Sequence, residues 1–100
     1  MTEHVEPTTA ADENRRFRAV VPDVDPDAVY RAVREAGGFR SWEDPARTLY
    51  YVKPNAVEVY QVGGVWTVTV NGPSVADVRD GLRLLRVGAD RAVHKLKAAS

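Results

Sequence analysis

The chain has 100 residues, 44% of them hydrophobic and 28% charged, with 14 basic and 14 acidic groups and a formal net charge of +0. That length supports one small hydrophobic core, and the balanced charge supplies no global field to draw the chain onto nucleic acid or anionic lipid. Cysteine is absent, which excludes disulfides, thiolate nucleophiles and sulfur-ligated zinc and leaves the redox compartment open.

Residues 1–14 contain Glu3, Glu6, Asp12 and Glu13 but no Lys or Arg, with Pro7, Thr8 and Thr9 among them. This is the composition of a disordered acidic tail. It has neither the basic start nor the apolar run of a secretory signal, and no window of about 20 apolar residues marks a membrane span. A cytoplasmic protein with no membrane partner is expected. The expected folded part, residues 15–100, carries 14 basic against 10 acidic groups. Over the whole chain valine (17 residues) and alanine (13) dominate the apolar set and isoleucine is absent. The many valines favour strands, where a β-branched side chain loses less freedom than in a helix.

Arg15 to Val21 alternates through Phe17, Ala19 and Val21 and predicts a first strand that stops at Pro22. Asp25-Pro26-Asp27 supplies an N-cap, a proline at the first helical position and an acid in the first turn. Val29, Ala32, Val33 and Ala36 follow at helical spacing until Gly37-Gly38, predicting a helix over 26–36. Phe39 to Glu43 reads equally as a short strand or an ordered loop before the Asp44-Pro45 turn.

Thr48 to Lys53, Val57 to Val62 and Val65 to Val70 are three strand candidates, separated by Pro54-Asn55 and Gly63-Gly64. Two central glycines permit a type I′ turn, which sets Val62 opposite Val65, Gln61 opposite Trp66 and Val59 opposite Val68. Val57, Val59, Trp66, Val68 and Val70 then line the core face, and Glu58, Tyr60, Thr67 and Thr69 the other. Proline cannot take the positive φ of that turn, so the Pro54-Asn55 connection is of another type. Simple pairing there adds Tyr50 and Val52 to the core and leaves Leu49, Tyr51 and Lys53 beside Tyr60 on the open face; a one-residue slip exchanges the two sets.

After Asn71-Gly72-Pro73, Ser74 with Asp77 forms a start resembling a capping box. Val75, Val78, Leu82, Leu85, Ala89, Ala92, Leu96 and Ala99 then recur at steps of three and four. One helix of that length would span about 37 Å, more than the sheet it must cover. Its excess around Ala89, Ala92 and Leu96 is a candidate interface. Gly81 and Gly88 weaken the helix by up to ~1 kcal/mol each, and a break at Gly88 into two helices is the other possibility.

Few constellations carry chemistry. Asp23, Asp25 and Asp27 imitate the start of a calcium loop, but Pro26 interrupts it, Ala28 stands at its glycine position and Arg34 at its closing glutamate; helix capping accounts for these acids. His4 and His94 have no ligand or triad partner at usable spacing, the adjacent Glu43 and Asp44 read as turn residues, and no glycine-rich phosphate loop is present. No catalytic residue, metal ligand, cofactor or small-molecule substrate is identified, so an enzyme is not expected. Arg79, Arg83 and Arg86, at i, i+4 and i+7, make a basic helix face that either engages phosphates or is simply solvated. Tyr51 and Tyr60, on the open sheet face, are candidates for stacking bases or for a protein interface, unless the 39–47 segment covers them.

The order of strand, helix, strands and last helix resembles the small dimerising subunit of the KEOPS tRNA-modification complex, a family related to cancer/testis antigens. The matching pieces are Val21-Pro22 leading into Val29-Tyr30 and Ala32-Val33, the hairpin 57–70, and Val78-Arg79 in the place of the family's Leu-Arg. They cover roughly two-thirds of the chain. Arg83-Leu84 replaces the family's Asn-Ser, and residues 39–53 are additional. The resemblance implies an accessory piece of a tRNA-modifying assembly.

The expected fold is α+β: a mainly antiparallel sheet of 4–5 strands with two or three helices on one face, in β-α-β-β-β-α order. The expected function is a small non-catalytic protein-interaction subunit, homodimeric or bound to a protein partner through the heptad surface or an exposed strand edge. The alternative is a nucleic-acid-binding module using the basic helix face, with or without the tyrosines.

Overall fold

A computed structural model describes residues 16–88 and 91–95. Their elements run β1 (Phe17–Pro22), α1 (Pro26–Glu35), β2 (Phe39–Asp44), β3 (Arg47–Val52), β4 (Asn55–Val62), β5 (Val65–Gly72), α2 (Val75–Leu85) and β6 (His94–Lys95). The fold is α+β, with one sheet in the order β2-β3-β4-β5-β1-β6 and every pairing antiparallel. The sheet has two strands beyond the expected β-α-β-β-β-α core. Residues 39–44 are a full strand, and a short strand returns after α2. The proposed acidic tail, 1–14, lies outside the described residues.

Local chemistry sets both helix starts. Asp25 accepts the Asp27 N–H at 3.0 Å with Pro26 in the first turn, and Ser74 accepts the Asp77 N–H at 3.0 Å while its hydroxyl donates to the Asp77 carboxylate at 2.8 Å. Such caps satisfy amides that have no partner inside the helix. Helix α1 stops at Gly37, whose φ of 82° closes the last turn: the Gly38 N–H reaches the Val33 carbonyl and the Gly37 N–H that of Arg34. This is the paired-bond helix end that usually takes glycine.

The Gly63-Gly64 hairpin has φ of 57° and 82° at its two glycines and pairs Val62 with Val65, Gln61 with Trp66 and Val59 with Val68, as its turn chemistry requires. Across the next turn, where the Lys53–Pro54 bond is cis, Tyr50 pairs with Val57 and Val52 with Asn55. The turn is thus Lys53-Pro54 instead of the expected Pro54-Asn55, and the pairing moves by two residues; an even shift keeps the faces, so Tyr50 and Val52 are in the core and Tyr51 on the open face as expected.

One row across the sheet, Ala19, Val70, Val57 and Tyr50, and a second, Val21, Val68 and Val59, face the helices. They pack under Val29, Ala32 and Val33 of α1 and Val78, Leu82 and Leu85 of α2, and all are buried. Each fully buried Val or Leu contributes about 1.5–3 kcal/mol before chain entropy is counted.

The long heptad helix is corrected. Helix α2 ends at Leu85, and Arg86 adopts φ 60° with its N–H on the Arg83 carbonyl and the Val87 N–H on that of Leu82. This is the same helix end as in α1, with arginine where glycine is usual. Val87 then packs against the core. Gly88 has positive φ but lies beyond the helix, so neither a continuous helix nor a break at Gly88 is found. Val93 also packs on the core, and His94–Lys95 pair with Arg18 and Phe17 of β1. Among the described residues past Leu85, 86–88 and 91–95, the heptad spacing is not accompanied by helix.

Candidate functional site

The six strands leave one face of the sheet without a helix among the described residues. Three rows cross it. The first runs His94, Arg18, Asn71, Ala56, Tyr51, Phe39; the second Val20, Thr69, Glu58, Leu49, Trp42; the third Pro22, Thr67, Tyr60, Arg47, Asp44. Side chains alternate along a strand, so Phe39 and Trp42, three apart, belong on opposite faces. A register shift between Arg40 and Trp42 cancels that alternation. This bulge of one residue turns Trp42 onto the same face as Phe39, while Arg40 points to the helix side, over the Tyr30 ring.

An aromatic patch results at the β2–β3 end of the open face. Phe39 is 58% exposed, Trp42 46% and Tyr51 38%. The Phe39 and Tyr51 ring centroids are 5.8 Å apart and tilted by 53°, within the range of favourable aromatic pairs. The Arg47 guanidinium lies 5.3 Å from the Trp42 ring centroid and is ion-paired with Glu58 on β4. Asp44, opposite Arg47, accepts the Ala46 N–H at 2.9 Å and so shapes the β2–β3 turn. Tyr60 shares a 3.0 Å hydrogen bond with the Thr69 hydroxyl, and Thr67 and Thr69 are buried.

The two tyrosines named from the sequence are thus on one face, as the register required, but only Tyr51 belongs to the exposed patch. Segment 39–47 extends the sheet beside them instead of covering them. Phe39 and Trp42 went unassigned in the sequence because their shared face depends on the bulge, which no local residue pattern marks.

The basic helix face is divided. Arg79 and Arg83 lie on α2, whereas Arg86 is the residue that ends it. The Arg83 guanidinium meets Asp80 at 2.6 Å and that of Arg86 meets Glu35 of α1 at 3.4 Å. Two of the three cations therefore have an acid beside them. Among the interface candidates, Ala92 is exposed in the segment between α2 and β6, not on a helix, and Ala89 and Leu96 lie outside the described residues.

The remaining charged clusters serve local structure. Asp25 caps α1, and Glu43 pairs with Arg40 at 3.2 Å. Among the described residues no group of three His, Cys, Asp or Glu side chains could hold a metal ion, and no helix is long and apolar enough to cross a membrane. Compared with known proteins, the chain matches no family model, no curated protein and no solved structure.

Proposed function

We propose that the chain is a small non-catalytic interaction module that self-associates through the open face of its sheet, around Phe39, Trp42 and Tyr51. The observation that carries this reading is the exposed aromatic patch. Large aromatics half-exposed and side by side are the composition of interface centres, where they lose much apolar area at little entropic cost.

Charge on the face favours a second copy of the chain over a polyanion. Arg47 is matched by Glu58 and stands opposite Asp44, so the cation nearest the aromatics is already neutralised. A two-fold contact lays the patch on itself, and a face with both charge signs is compatible with its own copy. Stacking two open faces at the usual spacing of about 10 Å would give a helix–sheet–sheet–helix dimer. The likeness to the small dimerising KEOPS subunit supports the same class and extends it to an accessory role in a tRNA-modifying assembly.

A nucleic-acid-binding module is the second reading. It is favoured by the guanidinium of Arg47 over Trp42 beside two further exposed aromatics, groups on which bases stack. Mass in solution, measured by light scattering on the full chain with and without RNA at about 50 mM salt, separates the two. A dimer that dissociates in Trp42→Glu is expected. A strict monomer at high micromolar concentration overturns self-association, and RNA binding that weakens with salt and with Trp42→Ala would establish the second reading.

A further inference from the structure

On the helix side of the sheet, away from the aromatic patch, a cleft of about 310 Å³ lies between the end of α1 and the start of β2. Two arginines from different elements converge on one phenol there. Arg34 of α1 donates from Nη1 to the Tyr30 hydroxyl oxygen at 3.0 Å, and its guanidinium carbon is 5.8 Å from the Tyr30 ring centroid. The guanidinium carbon of Arg40, from β2, is 5.1 Å from the same centroid. Val33, Gly38 and Phe39 complete the lining.

We propose that this cleft binds phosphate, as a phosphate monoester or the free ion, between Arg34 and Arg40 with the Tyr30 hydroxyl as a third donor. Guanidinium groups suit phosphate because their planar N–H pairs match two of its oxygens. Tyr30 accepts from Arg34 through its oxygen and keeps its own proton to donate. Arg34 has four further N–H groups and, among the described residues, no carboxylate partner. The Arg40 partner, Glu43, sits at 3.2 Å in a pair whose side chains are 42% and 53% exposed. Exposed pairs of this kind contribute little, so a phosphate displaces Glu43 at small cost.

The partial negative charge at the C-terminal end of α1 opposes an anion, but it amounts to about half a charge against two full cations. The Tyr30 phenol reports the balance: the Arg34 hydrogen bond and charge hold its pKa below 10.0, with Arg40 acting the same way against weaker opposition from Glu43. The cleft, at about 310 Å³, also leaves room beside the ion for the organic group of an ester.

The test is titration of the full chain with inorganic phosphate and, separately, with phenyl phosphate, followed by the NMR shifts of residues 30–40. Saturable shifts centred on Tyr30, Arg34 and Arg40 are expected, with affinity falling about tenfold in Arg34→Gln and in Arg40→Gln and unchanged in Arg79→Gln. Tighter binding of phenyl phosphate identifies an ester as the ligand; equal binding identifies the free ion. Shifts that do not saturate, or an equal loss of affinity in Arg79→Gln, overturn the proposal. All three arginines are exposed, and circular dichroism of each variant confirms that a lost signal is not lost folding.

Discussion

The side-chain amide of Asn55 fills the space that a β-carbon on Gly81 would need. Asn55 Nδ2 lies 2.5 Å from that position, and Val70 Cγ1 lies 3.0 Å from it. The amide donates to the Asp77 carbonyl of α2 at 2.8 Å, and on its other side Asn55 Oδ1 takes the place of a β-carbon on Gly72. One glycine from a strand and one from a helix thus form a slot for a side chain only 2% exposed. The polar link fixes where α2 sits along the sheet.

Gly81→Ala should therefore destabilise the chain, although alanine is the better helix former by up to ~1 kcal/mol. The expected loss is about 1–3 kcal/mol, the usual result of overpacking a filled core, read from urea denaturation. Asn55→Ala empties the slot at the cost of the hydrogen bond to Asp77. The double variant should be more stable than the sum of the two single losses predicts, with a coupling of about 0.5–3 kcal/mol. Simple additivity would refute the slot.

Ser74→Ala removes the acceptor for the Asp77 N–H and should lower stability by about 1 kcal/mol. Arg83→Ala breaks an ion pair whose members are 63% and 66% exposed and should change stability by less than about 1 kcal/mol. Thermal melts of the two variants, side by side, distinguish a cap that satisfies backbone from a surface pair that does not.

The two neighbouring tyrosines, with ring centroids 6.1 Å apart, should titrate on opposite sides of the ordinary phenol value of 10.0. Burial raises Tyr50 above it, whereas the hydrogen bond and charge of Arg34 lower Tyr30 below it. Alkaline absorbance titration should show Tyr30 ionising early and Tyr50 late, with the early step missing in Tyr30→Phe and moved upward in Arg34→Gln. Folding holds the Tyr50 proton more tightly, so its contribution to stability is fully present below pH 10.0 and is lost as pH rises through the folded pKa. Tyr30 has the opposite sign: its contribution is present above pH 10.0 and is lost as pH falls through its lowered value. Urea unfolding of the Tyr50→Phe variant, compared with the parent between pH 9 and 11 (about one unit on either side of the ordinary phenol value), should show a shallower alkaline decline.

Trp42 is half-exposed, and the Arg47 guanidinium lies over its ring, an interaction of about 0.5–1 kcal/mol at exposed sites. Trp42→Glu should thus leave the denaturation midpoint nearly unchanged while weakening self-association at least about tenfold, as the loss of a central aromatic does. Sedimentation at several concentrations reads the association and urea unfolding reads the fold. A parallel fall in both would show that Trp42 holds the chain together instead of joining copies.

Much of the architecture was legible residue by residue. Asp25-Pro26 and Gly37 bounded α1 because caps act on amides within a few residues, and Gly63-Gly64 set the β4–β5 register because a two-residue turn leaves one pairing. Alternation then put Tyr50 in the core and Tyr51 outside. The end of α2 was not legible. Its left-handed residue is Arg86, a type that seldom takes that conformation, so the apolar spacing past it suggested a helix that does not continue among the described residues. Of the surface expected around Ala89, Ala92 and Leu96, only Ala92 lies among the described residues, exposed and off the helix; the exposed patch in the described structure is formed by aromatics of β2 and β3.

The sequence by itself determined where the first helix and the glycine hairpin lie and which valines face inward, since capping, turn type and strand alternation are decided by neighbours along the chain. Only the tertiary structure decided that Phe39 and Trp42 share a face, that the segment after Leu85 returns to pair with β1, and that Gly72 and Gly81 close around Asn55. Each depends on strands or helices meeting across tens of residues, and no short stretch of sequence contains both sides of those contacts.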